Sequence, residues 1–167
     1  MKWSPVTPVY YYHFNHVSSY SFADVFGQGP IEIAFQVALK TFGIHKTLGL
    51  GVCHEDDNLH LFTADALPYR RLDPHNEPDK ATTALMVDLW TNFAEYGEPT
   101  PKGSDGSFVG SSLSQLGDPW RHIAEQVQEP YYATIDKGTL AVDAIDTEFD
   151  DRMDFWDQIL ANYTGSN

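Results

Sequence analysis

The fold of this chain is decided by the stretch Leu48-Gly-Leu-Gly-Val-Cys-His-Glu-Asp-Asp-Asn-Leu-His-Leu-Phe62. Its apolar start, interrupted by glycines, predicts a strand, and His54 is the first polar residue after it. A helix-like segment with an acidic first turn follows. Because the pKa of imidazole lies near neutrality, a histidine placed there can take up and release a proton within one turnover. His54 is therefore the candidate catalytic residue, and the alternative is a packed or surface histidine at a strand end.

The segment Gly51-Val-Cys-His-Glu-Asp-Asp-Asn-Leu-His-Leu-Phe62 resembles the catalytic-histidine segment of the carboxylesterase/cholinesterase family of α/β-hydrolases, in its type B, juvenile-hormone-esterase-like form. Three further stretches resemble the same family in the same order. Residues 8–14 are similar to the strand before the histidine loop, residues 89–99 to the helix after it, and residues 152–160 to the final helix.

This resemblance implies an α/β fold class. Residues 1–167 would be the C-terminal part of a single α/β-hydrolase domain, with one or two sheet strands, flanking helices and a small C-terminal hairpin. In this fold the triad follows the order Ser, then Asp or Glu, then His, and the serine lies in Gly-x-Ser-x-Gly. The chain has no such motif, because Gly103-Ser-Asp-Gly-Ser107 and Gly110-Ser-Ser-Leu-Ser114 both have the wrong spacing. By resemblance, His54 is the last triad member, and the other two belong to a missing N-terminal portion of the same fold.

The resemblance implies a serine carboxylic-ester hydrolase that acts on an ester substrate only in the complete enzyme, with the fragment alone inactive. The alternative function is a non-catalytic esterase-like binding or adhesion protein, and a third interpretation is a self-sufficient small domain. The resemblance also implies secretion or the lumen of the endoplasmic reticulum. Asn162-Tyr-Thr164 fits a glycosylation acceptor.

Other chemistries are weighed against this hypothesis. Cys53 suggests a thiol nucleophile, but side chains of neighbouring strand residues point to opposite faces, which would carry the thiol away from His54. His54-Glu55 begins like a zincin motif, yet His60 follows six residues later instead of four, so we predict no metal and no cofactor. Asp56 and Asp57 are interpreted as carboxylates at a helix N-terminus and not as the triad acid.

The chain departs from the family pattern inside the histidine segment. Glu55 stands where a small residue is common, Asn58 where an apolar residue is usual and His60 where an aromatic ring is frequent. The carboxylate of Glu55 would add negative charge beside the catalytic imidazole and reduce the space around it, compared with the small residue that is common in the family.

Composition excludes several classes of protein. Hydrophobic residues make up 42% of the sequence and aromatic residues 14%, which is typical of a globular chain. A net charge of −14 opposes binding to nucleic acid or to an anionic membrane, because both need a cationic face. No apolar run is long enough for a membrane span, and the N-terminus lacks an apolar signal-peptide core.

The first half of the chain predicts one strand and one helix. Residues 8–15 carry aromatic or apolar side chains on both faces, so we expect a strand covered on two sides in a parallel sheet. Residues 18–29 predict a loop, residues 30–42 a helix and residues 65–78 a surface connection.

The second half predicts two helices and a hairpin. Asp79 is expected to cap a helix that ends at Gly97. The expected buried residues of this helix are Met86, Leu89, Trp90 and Phe93. An irregular segment over 99–117, anchored by Trp120, is followed by two short strands, 131–135 and 140–145, joined at Lys137-Gly138. A closing helix begins at a capping pattern of Thr147 and Asp150. Its apolar face is formed by Phe149, Met153, Trp156, Leu160 and Tyr163.

Overall fold

The computed structural model describes residues 8–22, 34, 38, 42, 51–62, 72–122, 131–144 and 147–164. Its elements in chain order are β1 (Tyr12–Phe14), α1 (Asn58–Leu61), α2 (Glu77–Tyr96), a 3₁₀ helix (Ser111–Leu113), β2 (Tyr131–Asp136), β3 (Thr139–Ala144) and α3 (Thr147–Thr164). The sheet has three strands in the order β1-β2-β3. This confirms a mixed α/β architecture. Of the helix predicted over 30–42, only residues 34, 38 and 42 are described, and Ala34 and Ala38 are helical.

The sheet joins the first strand to the C-terminal hairpin. β1 pairs in parallel with β2, with Tyr12 opposite Ala133, and β2 pairs antiparallel with β3. The two turn residues Lys137 and Gly138 both have positive φ, 47° and 76°, as a tight two-residue hairpin turn requires. The predicted hairpin at Lys137-Gly138 and the predicted parallel pairing of the first strand are therefore confirmed.

β1 is shorter and more open than the sequence predicts. The strand covers three residues instead of the predicted 8–15, and only Phe14 of the three is buried. Val9 and Tyr11 are 42% and 52% exposed. The described residues therefore cover one face of the strand and leave the other face, which was expected to be covered too, open.

Helix α2 is capped at both ends, but not where predicted at its start. The side chain of Asn76 accepts a hydrogen bond from the backbone N–H of Asp79, so Asn76 is the N-cap and Asp79 lies inside the first turn. The prediction of Asp79 as the cap is wrong because the helix begins earlier, with Pro78 in its first turn. Gly97 ends the helix at φ 72°, as predicted.

The core lies between α2 and the sheet. Met86 and Leu89 are fully buried, as predicted, whereas Trp90 is partly buried and Phe93 is 47% exposed. The buried residues of this core cluster come from β1, α2, the 3₁₀ helix, Trp120 and β2: Phe14, Leu85, Met86, Leu89, Leu113, Trp120, Ala133 and Ile135.

The irregular segment after α2 is tied back to the core by polar groups. The buried side chain of Asn92 donates hydrogen bonds to the carbonyls of Pro99 and Val109. Trp120 is 5% exposed, and its indole N–H donates to the carbonyl of Tyr11 over 3.1 Å. The predicted anchoring role of Trp120 is confirmed.

Helix α3 leaves its apolar face open. The helix begins at Thr147, within one residue of the predicted start, and Thr147 is its first residue and not a residue before it. The described side chains of its predicted apolar face are all more than half exposed: Met153, Trp156, Leu160 and Tyr163. The helix is therefore amphipathic, with an apolar face that the described part of this chain does not cover.

Candidate active site

His54 lies in a turn that directly precedes α1. Residues 51–53 are not a strand, and residues 43–50 of the predicted strand lie outside the described residues. The His54 side chain is 94% exposed, and its Nε2 atom is 4.0 Å from Oε1 of Glu55. Glu55 takes a positive φ of 71°, which is rare for a residue other than glycine. Among the described residues the ring is paired with this carboxylate and with no serine hydroxyl.

A buried carboxylate holds this turn in place. Asp56 is 1% exposed, and it accepts hydrogen bonds from the backbone N–H groups of Cys53 at 2.8 Å and Phe22 at 2.7 Å. It also accepts from the hydroxyl of Ser21 at 2.8 and 3.0 Å. Asp56 thus connects the His54 turn to the segment that follows β1. Asp56 lies two positions before α1, close to the predicted helix N-terminus, but its side chain binds the turn and the segment after β1 instead of the helix.

Asp57, in contrast, has the predicted position. Its side chain accepts from the backbone N–H of Asn58 and caps α1. The same carboxylate accepts a hydrogen bond from the hydroxyl of Tyr12 at 2.5 Å. Burial, together with this hydrogen bond and the charge of Asp57, raises the pKa of Tyr12, so Tyr12 keeps its proton at neutral pH.

Cys53 contributes a backbone N–H group to the turn. Within the described residues, no hydrogen bond positions its thiol as a nucleophile. Its thiol is free and half-buried. The strand alternation that was expected to turn the thiol away from His54 does not apply, because both residues lie in a turn.

His60 belongs to a buried polar network. Its Nε2 atom is 2.9 Å from the hydroxyl of Ser18, and its Nδ1 atom is 2.9 Å from the hydroxyl of Thr83. His60 is 2% exposed. Burial, reinforced by neighbouring His16, lowers the pKa of His60 to about 4, so its ring is neutral at pH 7. Two hydroxyls, each able to donate or accept, satisfy the neutral ring.

Asp79 pairs with the second buried histidine. Its Oδ1 atom is 2.7 Å from Nε2 of His16, and the backbone and hydroxyl of Ser19 also donate to its carboxylate. Burial by itself raises the pKa of Asp79, but the hydrogen bonds from His16 and Ser19 outweigh it and hold the pKa below its ordinary value. The carboxylate is therefore charged at neutral pH.

Sequence reasoning missed this network. Its members include His16, Ser18 and Ser19, which directly follow the first strand, and Asp79, which was interpreted as a cap. The available signal was the density of polar groups immediately after an apolar strand. The two histidines that were compared with a zincin motif differ in burial: His54 is exposed to solvent and His60 is buried.

An apolar cavity of about 290 Å³ lies between β1 and α2. Its wall includes Tyr10, Tyr12, Leu89, Trp90, Phe93 and Trp120. The described lining contains no histidine, carboxylate, serine or cysteine, so the cavity does not by itself form a catalytic centre of the kind predicted.

Comparison with known proteins identifies the family of this chain. The family model described as "Carboxylesterase family" matches residues 1–156. The chain belongs to the carboxylesterase family. The juvenile hormone esterase of Tribolium castaneum is 28% identical to it over 158 residues, which are 93% of this chain and 24% of that relative. This carboxylesterase-family chain therefore spans about a quarter of the relative's length.

The family assignment confirms the resemblance seen in the histidine segment. Carboxylesterase membership supports an esterase-like origin for the chain and is compatible with its mixed α/β architecture. None of the helices in the described residues is both long and apolar enough to cross a bilayer.

Proposed function

We propose that residues 1–167 are the C-terminal part of a single α/β-hydrolase domain in a serine carboxylic-ester hydrolase, and that His54 is its catalytic histidine. The observation that carries this proposal is an imidazole 94% exposed on a turn that the buried carboxylate of Asp56 ties to the protein body.

The exposure of His54 leaves both ring nitrogens accessible to groups outside the described residues. A catalytic base must come within hydrogen-bond reach of the proton that it removes, about 2.6–3.2 Å between heavy atoms. An exposed ring on a loose loop would rarely reach that geometry. The hydrogen bonds of Asp56 restrict the backbone and leave the ring free to meet a partner.

The mechanism follows from the chemistry of imidazole. His54 takes the proton of a serine hydroxyl as the serine oxygen bonds to the ester carbonyl carbon. When the tetrahedral intermediate collapses, the bond to the alcohol oxygen breaks, and His54 returns the proton to the departing alcohol. Water then repeats the exchange, which releases the acid and restores the serine. A carboxylate on the opposite ring nitrogen holds the required tautomer.

The serine and the acidic residue are proposed to lie in the preceding part of the parent enzyme. This is supported by the absence of Gly-x-Ser-x-Gly from the 167 residues and by the quarter-length match to the relative. The exposed apolar face of α3 and the open face of β1 are surfaces that the rest of the domain would cover. The isolated chain should therefore hydrolyse esters at close to the background rate.

A chimera tests this proposal. The segment of the Tribolium castaneum juvenile hormone esterase that matches this chain is replaced by the chain, and hydrolysis of a chromogenic short-chain ester is measured. We expect turnover by the chimera, loss of turnover in its His54→Gln variant and none by the isolated chain.

Two outcomes would contradict the proposal. Turnover by the isolated chain that His54→Gln abolishes would reveal a nucleophile within the 167 residues. A folded chimera without turnover would favour the alternative, an esterase-like binding or adhesion protein. For the parent enzyme we also propose secretion or residence in the endoplasmic reticulum lumen. A glycosidase-sensitive mass shift lost in Asn162→Gln would support that compartment.

A further inference from the structure

Three buried side chains from three separate segments converge beside the His54 turn. His16 follows β1, His60 lies in α1 and Asp79 lies in the first turn of α2, and each is at most 2% exposed. One ligand atom from each lies within 4.8 Å of the other two. The closest pair, Nε2 of His16 and Oδ1 of Asp79, is 2.7 Å apart.

The two histidine rings differ in the partners of their Nδ1 atoms. Nδ1 of His60 is 2.9 Å from the hydroxyl of Thr83. Nδ1 of His16 has no hydrogen-bond partner among the described residues, and Oδ1 of Asp136 lies 3.8 Å from it. Metal-binding histidines characteristically bind the ion with one nitrogen and donate the other N–H to a carboxylate or another oxygen. Nδ1 of His60 already has such an oxygen partner, and Nδ1 of His16 has the carboxylate of Asp136 near enough to become one.

We infer that His16, His60 and Asp79 form a binding site for one zinc ion. Two imidazoles and one carboxylate are a common protein ligand set for zinc, which is usually tetrahedral. The hydroxyl of Ser18, 2.9 Å from Nε2 of His60, or a water molecule would take the fourth position.

Zinc would replace the hydrogen bonds that now join these side chains. A metal takes neutral imidazole and ionised carboxylate, so zinc would displace the proton that His16 and Asp79 share across 2.7 Å. His16 would bind through Nε2 as the tautomer that carries its proton on Nδ1, which lies 3.8 Å from Oδ1 of Asp136. Metal–ligand bonds of about 2.0–2.1 Å place tetrahedral ligand atoms about 3.4 Å apart, so the side chains need to move by about 1 Å.

Zinc at this position would act as a structural staple. It would join the segment after β1, helix α1 and helix α2, and α1 directly follows the turn that carries His54. The staple is independent of ester hydrolysis, so it can be tested whether or not the chain forms part of an esterase.

Isothermal titration of the chelator-treated 167-residue chain with Zn²⁺ at pH 7.5 tests the site. We expect one saturable site, a higher melting temperature with Zn²⁺ and visible absorption of a low-symmetry site with Co²⁺. His60→Phe, which keeps an aromatic ring, should weaken binding at least about tenfold, because it removes a ligand. The matched control is His75→Gln, which alters an exposed histidine and should leave the affinity unchanged.

Asp136→Asn provides a second variant in a position that touches no ligand atom of the metal. It should lower the affinity about 10–100-fold by weakening the orientation of His16, a change that a purely structural hydrogen-bond network would not produce. If His60→Phe does not fold, imidazole ¹⁵N spectra of the wild-type chain replace it, and Zn²⁺ should shift the His16 and His60 signals alone. No saturable binding by the wild type, or binding unchanged in both His60→Phe and Asp136→Asn, would overturn the inference.

Discussion

His54 and His60 lie in the same short segment, yet one ring is 94% exposed and the other 2% exposed. His54 precedes α1 on a turn, so its ring extends away from the body of the protein. His60 lies within α1 on the side that contacts α2, where Thr83 meets its ring. A few residues of backbone therefore separate a histidine suited to proton exchange from one suited to holding segments together.

Two buried carboxylates account for this difference. Asp56 accepts from backbone N–H groups and a serine hydroxyl, which fixes the turn and leaves the His54 ring free. Asp79 pairs with His16 and Ser19, which fills the region around His60 with polar partners. The carboxylate of Asp56 restricts the loop because its partners include backbone N–H groups. The carboxylate of Asp79 instead binds His16, the second buried histidine.

The largest expected effect concerns catalysis. In the chimera with the Tribolium castaneum relative, His54→Gln should lower kcat/KM about 10²–10⁴-fold, because it removes general acid–base catalysis. His75→Gln is the control for an exposed histidine outside the site. Initial rates on the chromogenic ester decide the matter, and retention of more than about a tenth of the activity would remove His54 from the mechanism.

The second-largest expected effect is a loss of stability when Asp56, which holds the His54 turn, is replaced. Asp56→Ala leaves buried donors without an acceptor and should lower the free energy of unfolding by about 3 kcal/mol. Asp56→Asn keeps one acceptor oxygen and should cost less. Urea unfolding of the 167-residue chain measures both. A loss below about 1 kcal/mol in Asp56→Ala would show that the turn is not held by this carboxylate.

The buried histidine should make stability depend on pH. The pKa of His60 is about 4 in the folded chain, against about 6.5 for a free side chain. Because the unfolded chain binds the proton more readily, the contribution of His60 is complete above about pH 6.5 and is lost as the pH falls through about 4. The loss should approach about 3 kcal/mol. His60→Phe should flatten this part of the pH profile of urea unfolding, and an unchanged profile would contradict the assignment.

The smallest expected effect is at the edge of the His54 turn. Tyr12→Phe removes the hydrogen bond from the Tyr12 hydroxyl to Asp57, and this contact is partly exposed. The free energy of unfolding should fall by about 1 kcal/mol. Thermal unfolding with Tyr11→Phe as the neighbouring control checks this value. A Tyr12→Phe loss as large as that of Asp56→Ala would mean that Asp57, and not Asp56, holds the turn.

Several elements were predictable from sequence because their signals are local. Lys137-Gly138 between two short apolar runs predicts the hairpin, and Gly97 predicts the end of α2. The start of α3 was also predicted to within one residue. The histidine segment indicated the carboxylesterase family, which the family model confirms. In each case a few neighbouring residues carry the necessary information.

Other features depend on residues far apart in the chain. Asp79 has the sequence of a helix cap, but it pairs with His16, 63 positions away, while Asn76 caps the helix. Phe93 fits the buried stripe of α2 and is nevertheless 47% exposed. Periodicity shows which residues share a face, but the surface that meets the face decides whether it is buried.

The sequence alone determined the family, the hairpin, the end of α2 and the choice of His54 as the candidate base, because turn chemistry, capping and motif spacing operate over a few residues. Only the tertiary structure decided that Asp56 anchors the turn and that His60 is buried. The hydroxyl of Ser18 reaches His60 across 42 positions of sequence, and burial of a polar ring is stable only where the folded chain brings such partners to it.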